Sequence, residues 1–162
     1  MSNFHCSFYK QCIVNEVNQL NFTSVVDIGC GLGEIITRVN VSQRIGVDES
    51  SEVIKAAKFL SNGKVNYFTI DEYFNHIEVP KADLLIMLNF VHCMNLESLV
   101  KLVKRYVEKN SAEYLLIDVI KNGSPIYEFH HDRSNLESLG TIQAHILKND
   151  EVRDIYLVRL RR

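Results

Sequence analysis

The sequence lacks a charge excess of either sign. Its 162 residues carry 18 basic and 20 acidic side chains, which gives a formal net charge of −2 at pH 7. This balance excludes the broad basic surface of a protein that binds nucleic acid without sequence specificity. Three arginines cluster near position 160, and a solvated strand end explains them better than a binding patch. The charge balance therefore disfavours nucleic acid as a partner.

The sequence also lacks a cysteine framework and a long apolar run. The spacing of its cysteines matches neither a zinc site nor a set of paired disulfides, so reduced thiols in a cytosolic protein are the expectation. Residues 1–10 are polar and aromatic, unlike a signal peptide, and no apolar run is long enough to span a membrane. We predict a cytoplasmic protein with no membrane partner. The four cysteines are Cys6, Cys12, Cys30 and Cys93.

Repeats, low-complexity tracts and interdomain linkers are absent as well. A chain of 162 residues with 46% hydrophobic content is long enough for one packed domain and too short for two ordinary ones. We predict a single domain over residues 1–162, with residues 1–22 as an N-terminal helical cap segment. The oligomeric state is left open by the sequence.

Apolar runs alternate with segments of helical period, a pattern typical of a parallel α/β sheet. Residues 141–148 and 153–160 instead alternate with a period of two, which predicts a terminal antiparallel hairpin joined at Asn149-Asp150. Residues 71–81 are too few and too mixed for a full helix. The predicted strands are 24–28, 44–47, 65–70, 82–88 and 114–120. The predicted helices cover 8–20, 33–39 (burying Leu32, Ile35, Ile36 and Val39), a segment capped by Ser50 or Ser51 (burying Val53, Ile54, Ala57 and Leu60), and a stripe of Leu96, Leu99, Val100, Val103 and Val107.

A glycine-rich turn follows the first predicted strand. Residues 25–34 read VVDIGCGLGE, and Gly29, Gly31 and Gly33 fall where a ligand can approach bare backbone. The dinucleotide fingerprint would need a third glycine at Glu34. Together with Asp27, this glutamate surrounds the turn with negative charge, which suits a cationic nucleoside better than a pyrophosphate.

The run from Asp27 to Gly33 resembles the first motif of the class I S-adenosylmethionine-dependent methyltransferases, D-x-G-x-G-x-G, with Cys30 between its first two glycines. The order of predicted elements resembles that family along essentially the whole chain. The resemblance implies an α/β, three-layer Rossmann-like fold with a mostly parallel seven-stranded sheet and a C-terminal antiparallel β-hairpin. It also implies S-adenosyl-L-methionine as cofactor, with S-adenosyl-L-homocysteine as product.

Acidic residues follow the second and third predicted strands. Asp48 lies about 20 residues beyond the glycine turn, where doubly wound folds place an acid for ribose hydroxyls, with Glu49 as the alternative. The resemblance implies that Asp71 accepts a hydrogen bond from the adenine amino group, that Ile70 packs on the ring, and that Glu72 lies beside them. A solvent-exposed acid at position 48 and a helix cap at position 71 are the structural alternatives.

The fourth predicted strand ends at the expected methyl-transfer site, because ligands of open α/β sheets bind outside the carboxyl ends of the strands. Asn89 is a candidate for contacting the methionine moiety or the acceptor, and Phe90 for lining the pocket or filling the core. His92 is a candidate general base, or alternatively a packing residue. Residues 127–132 form a candidate acceptor loop whose adjacent histidines do not make a convincing metal site.

The resemblance implies a methyltransferase that works by in-line displacement. The balanced charge and compact size favour a small-molecule acceptor, such as a metabolite or a sugar hydroxyl. A nucleic-acid or protein methyltransferase is also an alternative, but residues 89–92 read NFVH and not the (D/N)-P-P-(Y/F) motif of the nucleic-acid amine enzymes. An inactive S-adenosylmethionine-binding module, or a partner subunit of a larger methyltransferase, is the alternative. A nicotinamide-dependent oxidoreductase is a third reading, against which Glu34 counts. The acceptor, and whether oxygen, nitrogen or carbon is methylated, cannot be inferred from the sequence.

Overall fold

The computed structural model describes residues 8–75, 78–121, 127–147 and 151–161, in which seven strands form one mixed sheet. The strand order is β3-β2-β1-β4-β5-β7-β6. The strands are β1 (Ser24–Ile28), β2 (Gln43–Asp48), β3 (Asn66–Thr69), β4 (Leu84–Met87), β5 (Tyr114–Ile120), β6 (Gly140–Leu147) and β7 (Arg153–Leu160). The helices are α1 (Phe8–Gln19), α2 (Ser51–Ser61), α3 (Ile70–Asn75), α4 (Leu96–Asn110) and α5 (Arg133–Leu139), with a 3-10 turn at Val91–Cys93.

The sheet is parallel from β3 to β5 and antiparallel beyond β5. β7 pairs antiparallel with both β5 and β6, and therefore lies between them. This arrangement confirms the predicted α/β fold with a C-terminal antiparallel hairpin. The connection predicted at Asn149-Asp150 lies outside the described residues.

Helices cover both faces of the sheet, which makes three layers. Every residue of β1 and β4 is buried, as in strands that are covered on both faces. One face packs against α3, α4 and α5, and the other against α1, α2 and the chain after the glycine turn. The burial of Leu99 and Val103 confirms the helical stripe predicted for α4.

The helix predicted over residues 33–39 is absent, and this segment forms consecutive hydrogen-bonded turns. Four of its residues are β-branched, and such side chains lower helix propensity: Ile35, Ile36, Thr37 and Val39. The Thr37 hydroxyl donates to the Gly33 carbonyl over 2.6 Å and shares this acceptor with the Thr37 N–H (3.1 Å), a pattern that slightly destabilises a helix. The apolar residues Ile35, Ile36 and Val39 are nevertheless buried as predicted, whereas Leu32 is exposed.

The third strand is shorter than the predicted segment of residues 65–70. β3 ends at Thr69, and Asp71 lies in the first turn of the six-residue helix α3. Thr69 begins this helix with a reciprocal cap: its hydroxyl accepts from the Glu72 N–H (3.2 Å), and its own N–H donates to the Glu72 carboxylate (2.8 Å). Among the described residues of the segment 71–81, only those up to Asn75 are helical, in agreement with the prediction of a reduced helix.

Two further details differ from the prediction. Leu60, predicted in the core face of α2, is exposed, and Ser61 is buried instead. Helix α5 is not among the predicted elements, although its start carries a capping signal: Asp132 and Asn135 exchange side-chain-to-backbone hydrogen bonds of 2.9 and 3.0 Å. Ser50, one of the two predicted caps, does cap α2.

None of the helices in the four described ranges combines the length and the apolar character that a membrane span requires.

Candidate functional site

The carboxyl ends of the parallel strands bring the predicted site residues to one edge of the sheet. Ile28 at the end of β1 lies beside Val47 on one side and beside Met87 on the other. Met87 in turn lies beside Ile117 of β5. The chain segments that follow these positions are the glycine turn, Asp48, Asn89 and Asp118, so they converge at the edge where open α/β sheets bind ligands.

The glycine turn needs its glycines for conformation. Gly29, Gly31 and Gly33 have φ values of +70°, +54° and +80°, a region that L side chains rarely adopt. The N–H groups of Gly29 and Cys30 both donate to the Val47 carbonyl, over 2.8 and 3.1 Å, and anchor the turn to β2. Gly29 also lies under an aromatic ring, because a Cβ there would approach Phe90 to 2.8 Å.

Tyr67 supports the turn from below, a role that the sequence reasoning missed. A Cβ on Gly33 would lie 1.9 Å from the Tyr67 hydroxyl oxygen, and one on Gly46 would lie 2.4 Å from its ring. Gly46 and Tyr67 are cross-strand partners on β2 and β3. Burial raises the pKa of the Tyr67 hydroxyl to about 12. The pairing of a strand glycine with an aromatic residue was the available signal.

Asp48 connects the end of β2 to the glycine turn. One carboxylate oxygen accepts the Gly31 N–H over 3.0 Å, and the other accepts the Ser50 N–H over 3.1 Å. Each carboxylate oxygen has two acceptor positions, so one position on each oxygen remains after these contacts. The half-buried Asp48 is therefore held rigidly and can still accept two hydrogen bonds from a ligand.

A cavity of about 180 Å³ lies between the glycine turn, α1 and the end of β4, and Asp27 forms part of its wall. The Asp27 carboxylate is 4% exposed, and no residue in the described ranges donates a hydrogen bond to it. Burial raises its pKa to about 7, the Lys10 ammonium lowers it, and the Asp48 carboxylate raises it. A buried acid without a donor is costly in the free protein and available to a cationic group of a ligand.

Lys10 brings a positive charge to this cavity from α1. Its ammonium forms an ion pair with Glu34, and both side chains line the cavity together with Asp27. The two acids that surround the glycine turn in the sequence are thus partly balanced by a cation. Nothing in the periodicity of α1 identified this lysine.

The residues predicted to surround an adenine ring lie next to Asp48. Asp48 and Thr69 are cross-strand partners, and Ile70 follows at the same edge, half-buried. Asp71 is exposed, whereas the carboxylate of Glu72 is engaged in capping α3. Glu49, beside Asp48, is also exposed.

Asn89 lies at the rim of the cavity in the left-handed backbone region, with φ of +69°. Its N–H donates to the Asp118 carboxylate over 3.1 Å, and its side-chain nitrogen donates to the Tyr9 hydroxyl over 3.1 Å. Arg153, the first residue of β7, donates to the side-chain oxygen of Asn89 and, over 3.1 Å, to Asp118. Four segments of the chain therefore meet at this residue.

His92 is completely buried in the 3-10 turn after β4. Its Nε2 lies 3.4 Å from the Asp118 carboxylate, and neither ring nitrogen has a hydrogen-bond partner among the described residues. The ring packs edge-on against Tyr127, with 5.0 Å between centroids, and it does not line the cavity below Asn89. A proton transfer by His92 would need this packing to open.

The loop at residues 127–132 divides between core and surface. The ring nitrogen Nε2 of His131 contacts the carbonyls of Val91 and Met94 at 3.1 and 3.0 Å, so it carries the proton and donates to them. His130 is exposed, and Asp132 caps α5. Within the part of the chain that the structure describes, no three His, Cys, Asp or Glu side chains are grouped to hold a metal ion.

Solved structures of methyltransferases share this fold. The N-methyltransferase NodS from Bradyrhizobium japonicum WM9 matches with a TM-score of 0.72, 9% identity, and coverage of 95% of this chain and 96% of NodS. Magnesium protoporphyrin IX methyltransferase from Synechocystis PCC 6803, with bound SAH, matches with a TM-score of 0.71, 14% identity, and coverage of 94% and 84%. The methyltransferase domain of bacterial CtHen1-C matches with a TM-score of 0.72, 16% identity, and coverage of 94% and 96%.

No protein-family model matches the sequence, and no curated protein matches it. At identities of 9 to 16%, the structural similarity establishes the fold. The chain has the class I methyltransferase fold that its glycine motif and element order predicted.

Proposed function

We propose that this chain is an S-adenosylmethionine-dependent methyltransferase that acts on a small-molecule acceptor. The observation that carries the proposal is the joint placement of Asp27 and Asp48 around the glycine turn. Asp48 fixes Gly31 and keeps acceptor positions available, while Asp27 is a buried carboxylate without a hydrogen-bond donor among the described residues. In this proposal Asp48 binds the diol of one ligand, and Asp27 faces a cationic group of the same ligand.

The residues around the turn suit S-adenosylmethionine, which carries a sulfonium and an ammonium and no phosphate. A Cβ on Gly31 would meet no atom within 4 Å, so the backbone of the turn is bare on that side. Asp27 and Glu34 both line the cavity, and they would repel a pyrophosphate. The cavity of about 180 Å³ accommodates the amino-acid part of such a ligand. The nucleoside part would then extend past Asp48 toward the end of β3.

The proposed cofactor contacts follow the strand ends. The backbone of Gly29, Gly31 and Gly33 faces the amino-acid part, and the Asp48 carboxylate accepts from the ribose hydroxyls. Ile70 packs on the adenine ring, and Asp71, exposed at the start of α3, accepts from the adenine amino group. Glu49 and Glu72 are less suited, because Glu49 lies one residue beyond the Gly31 contact and Glu72 caps α3.

The methyl acceptor is proposed to bind beyond the carboxyl end of β4. S-adenosylmethionine supplies the methyl group and a sulfonium leaving group, so the chain has to align an acceptor and exclude water. Phe90 borders this side through its ring above Gly29, and Asn89 lies at the rim of the cavity, where the S-adenosyl ligand and the acceptor meet. His92 stays a candidate general base that must first be exposed. The porphyrin named for one of the similar structures supports a small molecule as the acceptor class.

The first experiment is a calorimetric titration with S-adenosylhomocysteine, with NAD as the control ligand. We expect micromolar binding of S-adenosylhomocysteine alone. Asp48→Asn should weaken it by about tenfold to a hundredfold, because hydrogen bonds to a charged group contribute roughly 1.5–3 kcal/mol. Glu49→Gln removes the same charge one residue away and should leave the affinity within about threefold of wild type.

Each contrary result has a defined meaning. Loss of affinity in Glu49→Gln but not in Asp48→Asn would transfer the ribose contact to Glu49. Absence of wild-type binding would contradict the proposal and favour a subunit whose site a partner completes. Binding without methyl transfer to any component of a metabolite extract would favour an inactive S-adenosylmethionine-binding module.

A further inference from the structure

The side chain of Asn89 is held by residues that are far away in the sequence. Tyr9 in α1 accepts from its nitrogen over 3.1 Å, and Arg153 in β7 donates to its oxygen. The guanidinium of Arg153 also stacks on the Tyr9 ring, 4.2 Å from the centroid. The three side chains therefore form a closed ring of contacts at the rim of the cavity.

Arg153 fixes the orientation of the Asn89 side-chain amide. A guanidinium can only donate hydrogen bonds, so the amide atom that contacts it must be the oxygen. The amide nitrogen then points to Tyr9, and only one of its two N–H groups is used there. Asn89 is exposed, and its second N–H has no partner in the described part of the chain.

Arg153 is itself fixed by a buried charge. Asp118 is completely buried, accepts from Arg153 over 3.1 Å, and also accepts the backbone N–H of Asn89 over 3.1 Å. The carboxylate thus fixes both the guanidinium and the backbone of the residue that the guanidinium orients. A buried carboxylate with a bound arginine is expensive to break, which keeps the amide orientation constant.

We propose that Arg153 is a positioning residue that makes Asn89 a hydrogen-bond donor at the rim of the cavity. The group of the bound ligand that faces Asn89 is then an oxygen acceptor, such as a carboxylate, carbonyl or ether oxygen, and not an amine. This inference rests on the proposed function, because it requires that the cavity holds the S-adenosyl ligand. The oriented donor tells apart ligand groups of similar size by their hydrogen-bonding character.

The decisive variant is Asn89→Asp, titrated with S-adenosylhomocysteine. Aspartate tolerates the left-handed backbone, keeps the N–H contact to Asp118 and still pairs with Arg153, so the fold should be at least as stable as wild type. It offers only oxygens to the ligand, and we expect a loss of affinity of about tenfold or more. Asn89→Gly, which also suits φ of +69°, removes the donor without adding a charge and should cost less.

A purely structural role for Asn89 gives the opposite result. Asn89→Asp would then bind as tightly as wild type, or more tightly, because a new carboxylate attracts the ligand's ammonium. Either outcome, obtained with an unchanged melting temperature, overturns the proposal.

Arg153 is tested by paired variants with a readout that needs no ligand. Arg153→Lys keeps a donor for the Asn89 oxygen, whereas Arg153→Gln can accept as well as donate and releases the amide orientation. The side-chain amide signals of Asn89 in nitrogen-resolved NMR spectra should move in Arg153→Gln and stay near their wild-type positions in Arg153→Lys. The affinity for S-adenosylhomocysteine should likewise fall more in Arg153→Gln than in Arg153→Lys.

Failure of the proposed function and failure of the Arg153 role give different results. If wild type does not bind S-adenosylhomocysteine, the proposed function fails and the donor role toward that ligand fails with it, whatever the NMR signals do. If wild type binds and Arg153→Gln leaves both the amide signals and the affinity unchanged, only the positioning role of Arg153 is overturned.

Discussion

The Tyr67 hydroxyl lies 1.9 Å from the place that a Cβ on Gly33 would take. Gly31, two residues earlier, has nothing within 4 Å of the corresponding position. Both glycines have positive φ, so both are conformationally required. Only Gly33 is also sterically required, because its missing side chain is the space that the buried tyrosine fills.

This difference predicts different phenotypes for two alanine substitutions. Gly33→Ala should destabilise the protein by about 2–5 kcal/mol, since backbone strain adds to the displacement of Tyr67. Gly31→Ala should cost about 1–2 kcal/mol of strain and leave a folded protein whose affinity for S-adenosylhomocysteine is reduced. Urea unfolding measures the first effect and calorimetry the second. Equal stabilities of the two variants would contradict the steric role of Tyr67.

The buried Asp27 predicts a pH-dependent stability. Burial raises its pKa from 3.8 to about 7, so between these values the native state holds a proton that the unfolded state has released. Its contribution therefore reduces the free energy of unfolding as the pH rises from about 4 to 7. Asp27→Asn cannot ionise, and its stability relative to wild type should rise over this range by a few kcal/mol, on the order of 4. A constant difference in chemical denaturation from pH 4 to 8 would exclude this assignment.

Lys10 should determine the pH at which the ionisation of Asp27 stops lowering the free energy of unfolding. Its ammonium lowers the pKa of Asp27 against the larger effect of burial. In Lys10→Met the pKa of Asp27 should rise further. The difference in free energy of unfolding between the double variant Lys10→Met/Asp27→Asn and Lys10→Met alone should therefore continue to increase up to a higher pH than the corresponding difference in the wild-type background. Lys58→Met removes a lysine from the exposed side of α2 and is the matched control. A transition at the same pH in both lysine variants would show that Lys10 does not act on Asp27.

Cysteine reactivity should report on the closure of the glycine turn. Burial, and next the charges of Asp27 and Asp48, raise the pKa of the Cys30 thiol well above its usual range, whereas Cys93 is exposed. We expect iodoacetamide at pH 8 to modify Cys93 well before Cys30 in the native protein. Both should react in urea, as followed by peptide mass spectrometry. Equal native rates would indicate that the turn opens readily.

The strands were the most predictable part of the fold. β1 and β5 begin and end at the predicted residues, because both are short, mostly apolar segments rich in β-branched residues, and both are almost completely buried. The chain after the glycine turn is predicted as a helix because Ile35, Ile36 and Val39 have the right spacing. The spacing reports which side chains are buried, and it does not distinguish a helix from a series of turns that buries the same residues.

The candidate site was predictable only where it follows the strand ends. The glycine turn and Asp48 are local in sequence and were placed correctly at the edge of the sheet. Lys10 and Arg153 reach the same site from α1 and β7, and no local pattern encodes contacts across such separations. The third strand ends earlier than predicted because Thr69 and Glu72 form a helix cap, which places Asp71 in the first turn of α3.

The position of β7 between β5 and β6 also affects how the chain is made. β7 follows β6 in the chain but is an interior strand of the sheet, so β5 keeps an unpaired edge until residues 153–160 leave the ribosome. That edge carries Leu115, Leu116 and Ile117, an apolar segment able to pair with another nascent chain. Newly synthesised molecules should therefore depend on chaperones most during the interval between the appearance of β5 and that of β7.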